Sequence, residues 1–286
     1  MNAISYSLFG WSDNHDQQIS FKSYLRGLHL NIRVAQVLYP DWDVCVMADE
    51  SVLSSPYHEL LSDLSTKGKI QLKTVRTAEL CLMMLYRLCP LFFNALDGKI
   101  KYDRVICRDT DSLLSYRERQ AVAYWEQGPK MAHAITDSIS HTVTLMGGMI
   151  GFKSGPFRDR TAVKSLGELL LLSNDINLTY KGSDQDFLNR YVLPKVHDSI
   201  TEHFVLGHPQ TFRGDCHNFI HDIDLTEQLG GLSEDIYKEL NGYGFHIGAS
   251  GFQTDAVVKW LAQWGIDNEY WEELEKQYPD VMYWQL

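Results

Sequence analysis

The sequence has no surplus of positive charge. Its 26 Lys and Arg are outnumbered by 37 Asp and Glu, which gives a formal net charge of −11 at pH 7. A field of that sign repels polyanions, so nucleic acid is excluded as the expected partner. There is no CxxC pair either. The five cysteines, Cys45, Cys81, Cys89, Cys107 and Cys216, are odd in number and scattered, so the expectation is reduced thiols in a cytoplasmic protein rather than a disulfide framework. No stretch approaches the ~18 apolar residues of a membrane span. Met1 to Ser7 lack a basic segment ahead of a long apolar core, so no signal peptide is read there. Internal repeats, low-complexity tracts and linkers are absent, and a single domain over 1–286 is expected.

What is present is ordinary globular material: 286 residues, 44% hydrophobic and 22% charged, enough for a large core. Apolar and β-prone residues over 4–9 run into Gly10 and read as a strand. Tyr24, Leu25, Leu28, Ile32, Ala35 and Leu38 then recur at helical spacing until Tyr39-Pro40-Asp41 stops them. A strand over 44–48 ending in Asp49, a helix over 57–64 and a strand over 70–75 follow. Strand alternating with helix predicts an α/β fold with a largely parallel sheet and right-handed crossovers. Downstream, helices are expected over 79–88, 116–127, 163–172, 183–191, 256–264 and 269–278. Strands are expected over 131–135 and 149–152, with shorter pieces over 203–206 and 242–251.

The run Arg104-Val105-Ile106-Cys107-Arg108-Asp109-Thr110-Asp111-Ser112 reads as a buried strand that delivers two carboxylates to its own C-terminal edge. In open α/β sheets ligands bind outside the carboxyl ends of the strands. Acids at i and i+2 there can reach one hard cation, and Mg²⁺ or Mn²⁺ suits carboxylate and phosphate oxygens. Bridging a diphosphate, such a cation offsets the charge that builds on a leaving group. An acidic turn capping the next helix is the competing reading, because Ser115 with Glu118 three residues later forms a capping box.

The blocks around these acids resemble those of GT-A-fold, DxD-containing, nucleotide-sugar-dependent glycosyltransferases of the bacterial and viral glycan-assembly type. The similar segments are Tyr6 to Gly10, Tyr24-Leu25-Arg26-Gly27, Tyr39-Pro40-Asp41-Trp42, Leu85-Tyr86-Arg87-Leu88 and Tyr102 to Ser112. Further on they are Arg117-Glu118-Arg119 with Ala121 to Trp125, His141-Thr142-Val143, Met146 to Gly151, and Ser183 to Leu188. The resemblance spans the chain to about Pro194 and is weak beyond it.

The resemblance implies a mixed, mainly parallel Rossmann-like sheet flanked by helices, with 1–112 as the nucleotide half and 113–286 as the sugar and acceptor half. Tyr6, Ser7, Leu8, Phe9 and Gly10 would line the nucleotide pocket, and Asp49 would contact base or ribose. Arg87 and Arg108 would lie near the diphosphate or sugar, and Asp109 and Asp111 would bind Mn²⁺ or Mg²⁺. Gly147 and Gly148 would let backbone approach the sugar, where a Cβ obstructs; a strand-entry turn is the alternative. Asp184, Gln185 and Asp186 would face the acceptor or the anomeric carbon. A helix start capped by Ser183, with Asp186 three residues later, accounts for the same pattern.

Among the eleven histidines, His246 resembles the late histidine that completes the metal shell in some retaining GT-A enzymes; a hydrogen-bonded core histidine is the alternative. His217 and His221 lie one helical turn from each other, but no second pair completes a zinc site. His133 and His141 are further sugar-contact candidates. The aromatic C-terminus, Tyr270, Trp271, Tyr278, Tyr283 and Trp284, reads as core more readily than as an acceptor surface.

The activity implied is transfer of a sugar, from a UDP-sugar by preference, to a carbohydrate or glycolipid hydroxyl in polysaccharide biosynthesis. A retaining course is slightly favoured, in a protein that is cytoplasmic or peripheral to a membrane through its acceptor. Two other classes stay open: a HAD-like phosphohydrolase with Asp109 as nucleophile, and a non-catalytic carbohydrate-binding protein.

Overall fold

The structure is a computed structural model that describes residues 1–76, 80–136, 143–173, 177–204, 215–218 and 254–282. It is built on one eight-stranded sheet of order β3-β2-β1-β4-β6-β5-β7-β8. The strands are β1 (Asn2–Leu8), β2 (Trp42–Asp49), β3 (Gln71–Val75), β4 (Arg104–Arg108), β5 (Ala132–Thr136), β6 (Met149–Lys153), β7 (Ile200–Phe204) and β8 (Asp215–Asn218). All neighbouring pairs are parallel except those of β6, which runs against both β4 and β5. This is the mixed, mainly parallel α/β sheet expected from the alternation of strands and helices.

Side-chain alternation along each strand divides the core between the two faces of the sheet. On one face Ile4, Tyr6, Leu8, Val46, Ala48 and Ile106 pack against α1 (His15–Leu38), α3 (His58–Thr66) and α5 (Tyr116–Gln127). On the other, Ala3, Cys45, Met47, Val105 and Cys107 pack against α4 (Leu80–Tyr86), α6 (Ser154–Thr161), α7 (Leu166–Leu170) and α8 (Ser183–Phe187). Two more short helices are α2 (Glu50–Leu53) and α9 (Leu193–Val196). The helices α10 (Thr254–Trp264) and α11 (Asn268–Gln277) close over α1, with Trp260 and Trp271 buried in its core. Trp271 is therefore core, as its spacing suggested. Tyr283 and Trp284 lie outside the described residues.

Local chemistry explains where the helices start. Asn14 Oδ1 accepts from the amides of Asp16 (3.0 Å) and Gln17 (3.2 Å), opening α1 well before the apolar periodicity begins. Ser115 Oγ accepts from Glu118 N at 3.2 Å and caps α5 as predicted. The reciprocal half of that box is not made, because the Glu118 carboxylate turns to Arg108 instead. At α8 the expected Ser183 cap is replaced by Gly182, whose φ of +93° suits a residue without Cβ. The helix expected over 163–172 is only the five-residue α7.

Among the described residues no helix is long and apolar enough to cross a membrane. Cys45, Cys81, Cys89 and Cys107 are free thiols.

Candidate functional site

Strand β4 ends at Arg108, so Asp109, Thr110 and Asp111 occupy the turn beyond its carboxyl end. Three other parts of the chain converge on this turn. From the end of α4, Arg87 Nη1 donates to Asp109 Oδ1, while Arg87 Nε donates to Met84 O at 2.6 Å. From the entry to β6, Gly148 lies flat against the Asp109 carboxylate, and a Cβ there would overlap Asp109 Oδ2. Gly147 presses on the next group in line: its Cβ would sit 2.9 Å from Asp184 Oδ2 and 3.6 Å from Arg87 Cζ. Asp184, in the first turn of α8, thus packs in one cluster with Arg87, Asp109 and both glycines.

The electrostatics follow from this crowding. Burial alone would lower the pKa of the Arg87 guanidinium, but Asp109 and Asp184 outweigh it and raise the value. Burial raises the Asp184 carboxyl above its ordinary value, with Asp109 acting the same way and Arg87 opposing. Asp184 is 3% exposed, and its Oδ1 has no hydrogen-bond partner among the described residues. A buried acceptor without a partner is a group whose hydrogen-bonding capacity is unused. Asp111 is also raised, first by burial and then by the charge of Asp109; Arg87 and Lys181 oppose the shift. Tyr24, an exposed aromatic on α1, has its phenol raised by burial and then by Asp111 and Asp109.

A second contact ties the glycine entry to α8. Asn189 Oδ1 accepts from Leu145 N at 3.0 Å, and its Nδ2 donates to Leu145 O and Gln185 O, both at 2.8 Å. This fixes the segment before Gly147 against the helix that carries Asp184. Nothing in the sequence marks Asn189, since a lone Asn in a helical pattern carries no motif.

The acid pair fits a hard divalent cation by donor chemistry. Its carboxylate oxygens are the donor type such a cation takes, and Asp111 is raised first by burial and then by the charge of Asp109. Among the described residues no group of three His, Cys, Asp or Glu side chains gathers as a metal cage. His246, the expected third ligand, lies outside the described residues, as do His141 and His221.

Several expected site residues have other employment. The Arg108 guanidinium does not face the turn. Strand alternation puts it on the Ile106 face, where Nε donates to Glu118 Oε1 at 2.6 Å and Nη1 to the carbonyls of Cys107 and Ile150. At 2% exposure it forms a buried ion pair with Glu118. Tyr6 and Leu8 share that face and are also buried. Ser7 is on the site's face but donates through Oγ to Met83 O at 2.7 Å. Phe9 and Gly10 are more open. Asp49 Oδ1 accepts from Val52 N at 3.1 Å and Ser51 Oγ at 2.6 Å, so it caps α2. Asp186 is exposed and accepts from the Tyr180 hydroxyl, and Gln185 is half-buried. His133, stacked on Trp125 within the core, is fully buried.

No protein-family model and no curated protein sequence matches the chain. Among solved structures it is similar to the glycosyltransferase GlyE of Streptococcus pneumoniae TIGR4, at 10% identity over 71% of this chain and a TM-score of 0.44. That match spans 45% of the GlyE chain, so this chain covers under half of its length. It is similar also to the galactosyltransferase LgtC in complex with donor and acceptor sugar analogs, at 11% identity over 96% of this chain and 100% of that one, TM-score 0.46. A third is S. aureus TarS 1–349, at 9% identity over 76% of this chain and 60% of that one, TM-score 0.43. GlyE and LgtC are named as glycosyltransferases, and all three neighbours are at low sequence identity.

Proposed function

We propose that the chain is a metal-dependent glycosyltransferase that moves a sugar from a nucleotide diphosphate sugar, UDP-sugar favoured, to a hydroxyl of a carbohydrate or glycolipid acceptor. The observation that carries the reading is the meeting of Asp109, Asp111, Arg87, Asp184 and the Gly147-Gly148 pair at the carboxyl end of the sheet. The ordered blocks similar to GT-A glycosyltransferases support it independently.

In this reading Asp109 and Asp111 hold Mn²⁺ or Mg²⁺, which when bound offsets the negative charge of a departing diphosphate. Arg87 adds a fixed cation beside the same place and keeps Asp109 oriented. The glycine pair lets the Asp109 and Asp184 carboxylates pack directly against backbone, because a Cβ at either position would collide with one of them. Asp184, whose Oδ1 is buried without a hydrogen-bond partner, accepts from a sugar hydroxyl in this reading. With Gln185 beside it, the cluster suits front-side stabilisation, and we favour retention of anomeric configuration. His246 would complete the metal shell. Residues 1–112 would serve the nucleotide and 113–286 the sugar and acceptor. The protein would work in the cytoplasm, peripheral to a membrane when its acceptor is a glycolipid, in polysaccharide assembly.

A HAD-like phosphohydrolase with Asp109 as nucleophile is the alternative reading. The test is release of nucleoside diphosphate from a panel of nucleotide sugars, with Mn²⁺ and with chelator. The expected result is turnover of one donor that needs the metal and is lost in Asp111→Asn. Metal-independent turnover, or full turnover by Asp111→Asn, removes the assignment.

A further inference from the structure

The acid turn is held from behind by a single buried side chain. Asn31 lies in the middle of α1 and is fully buried. Its Nδ2 donates to Ser112 O at 2.8 Å and, more loosely, to Thr110 O at 3.4 Å; its Oδ1 accepts from Leu114 N at 2.9 Å. Thr110 and Ser112 are the two neighbours of Asp111, so one amide group grips the backbone on both sides of the second acid. The Ser112 hydroxyl adds a bond to Asp109 O at 3.2 Å, closing the turn on itself.

Gly27, one helical turn before Asn31, presents the same face of α1 to the turn. A Cβ at Gly27 would overlap the Thr110 carbonyl oxygen and sit 3.4 Å from the Asp111 Cα. Helix interiors disfavour glycine relative to alanine. Its presence in α1 is explained by the close approach of the turn, which leaves no space for a methyl group. Contact at Gly27 and grip at Asn31 together set the height and direction of Asp111 above the end of β4.

We propose that Asn31, with Gly27 as its seat, is a positioning residue that presets the Asp109-Thr110-Asp111 turn for a divalent cation. The inference rests on the metal reading of the acid pair. A side chain of this kind touches no cation. It acts by fixing the backbone on both sides of Asp111, and outer partners of metal ligands typically govern affinity by about 10–100-fold.

The experiment is Mn²⁺ titration followed by electron paramagnetic resonance of the free ion, with no sugar donor and no turnover needed. It compares wild type, Asn31→Leu, Gly27→Ala and Leu60→Ala, each checked for native circular dichroism. Asn31→Leu removes all three bonds at similar volume. Gly27→Ala improves helix propensity yet displaces the turn, so it serves even where Asn31→Leu does not fold. Leu60→Ala loosens the same core from α3, away from the turn, and reports general destabilisation. The expected result is affinity about tenfold or more weaker in Gly27→Ala and in folded Asn31→Leu, and unchanged in Leu60→Ala. Wild-type affinity in folded Gly27→Ala or Asn31→Leu, or equal loss in Leu60→Ala, overturns the positioning role. Absence of Mn²⁺ binding to wild type instead overturns the metal reading on which it rests.

Discussion

Arg87 donates to Asp109, so the first acid of the turn after β4 is engaged by a buried guanidinium delivered from the end of α4. The same guanidinium feels Asp184, which makes it the common counter-charge of two acids from distant parts of the chain. Arg87→Ala is expected to reduce transfer by on the order of 100-fold, the usual cost of losing a preorganised donor. Stability should drop by about 1–3 kcal/mol, since Asp109 stays partly open to water. Kinetics paired with urea melts check this. A variant that loses stability but transfers normally would make Arg87 structural only.

Asp184 and Asp186 sit two residues apart and are predicted to behave differently. Asp184 is buried with an unpartnered Oδ1, whereas Asp186 is exposed and bonded to Tyr180. Asp184→Asn should slow transfer by roughly 100-fold with donor binding largely kept. Asp186→Asn should stay within about twofold of wild type, as surface changes generally do. Steady-state kcat and donor Kd for both variants decide it, and a reversed ranking would remove Asp184 from the site.

Arg108 tests the separation of scaffold from site. Its partner Glu118 is 1% exposed, so Arg108→Met leaves a buried carboxylate without its main counter-charge. Breaking such a pair from one side costs about 3–5 kcal/mol. The folded fraction should bind nucleotide sugar as wild type does, which calorimetry at low temperature can measure. Loss of donor affinity in a folded variant would return Arg108 to the site.

A second titratable group lies away from the pocket. Burial pushes the Glu202 carboxyl up to about 7, although Thr136 Oγ1 donates to it at 2.8 Å and partly opposes the shift. A carboxyl whose folded value is raised favours the fold while protonated. Its contribution is therefore full below the unfolded value of about 4.3 and is lost as pH rises toward 7. Across that window wild type should lose up to about 3 kcal/mol that Glu202→Gln does not lose. Urea melts at pH 4.5 and pH 8 measure the difference, and parallel pH profiles would contradict it.

Much of the sheet was legible because strand and helix periods alternate cleanly up to β4, and because the acids fall where an apolar run ends. Ser115 announced α5, and the acid pair needed only its position beyond a strand to be noticed. Arg108 adjoins Asp109 in sequence, yet its guanidinium turns to the buried Glu118, a partner that adjacency does not announce. Asp49 looked like a ligand residue because it ends a strand, and the same position is where a helix cap belongs. Asn31 and Asn189 were invisible, since their role depends on carbonyls and amides 79 to 83 residues away in one case and 44 in the other. Only tertiary structure brings such partners together.

The central claim is that Asp109 and Asp111 make a cation-dependent nucleotide site, and thermal shift tests it most directly. Wild type and Asp111→Asn are titrated with UDP and other nucleoside diphosphates, with Mn²⁺ and with chelator. A ligand that binds only the native state raises the melting temperature. The account predicts stabilisation of wild type by one nucleotide, dependent on Mn²⁺ and absent in a folded Asp111→Asn. No shift with any nucleotide, or an equal shift in Asp111→Asn and with chelator, would contradict it.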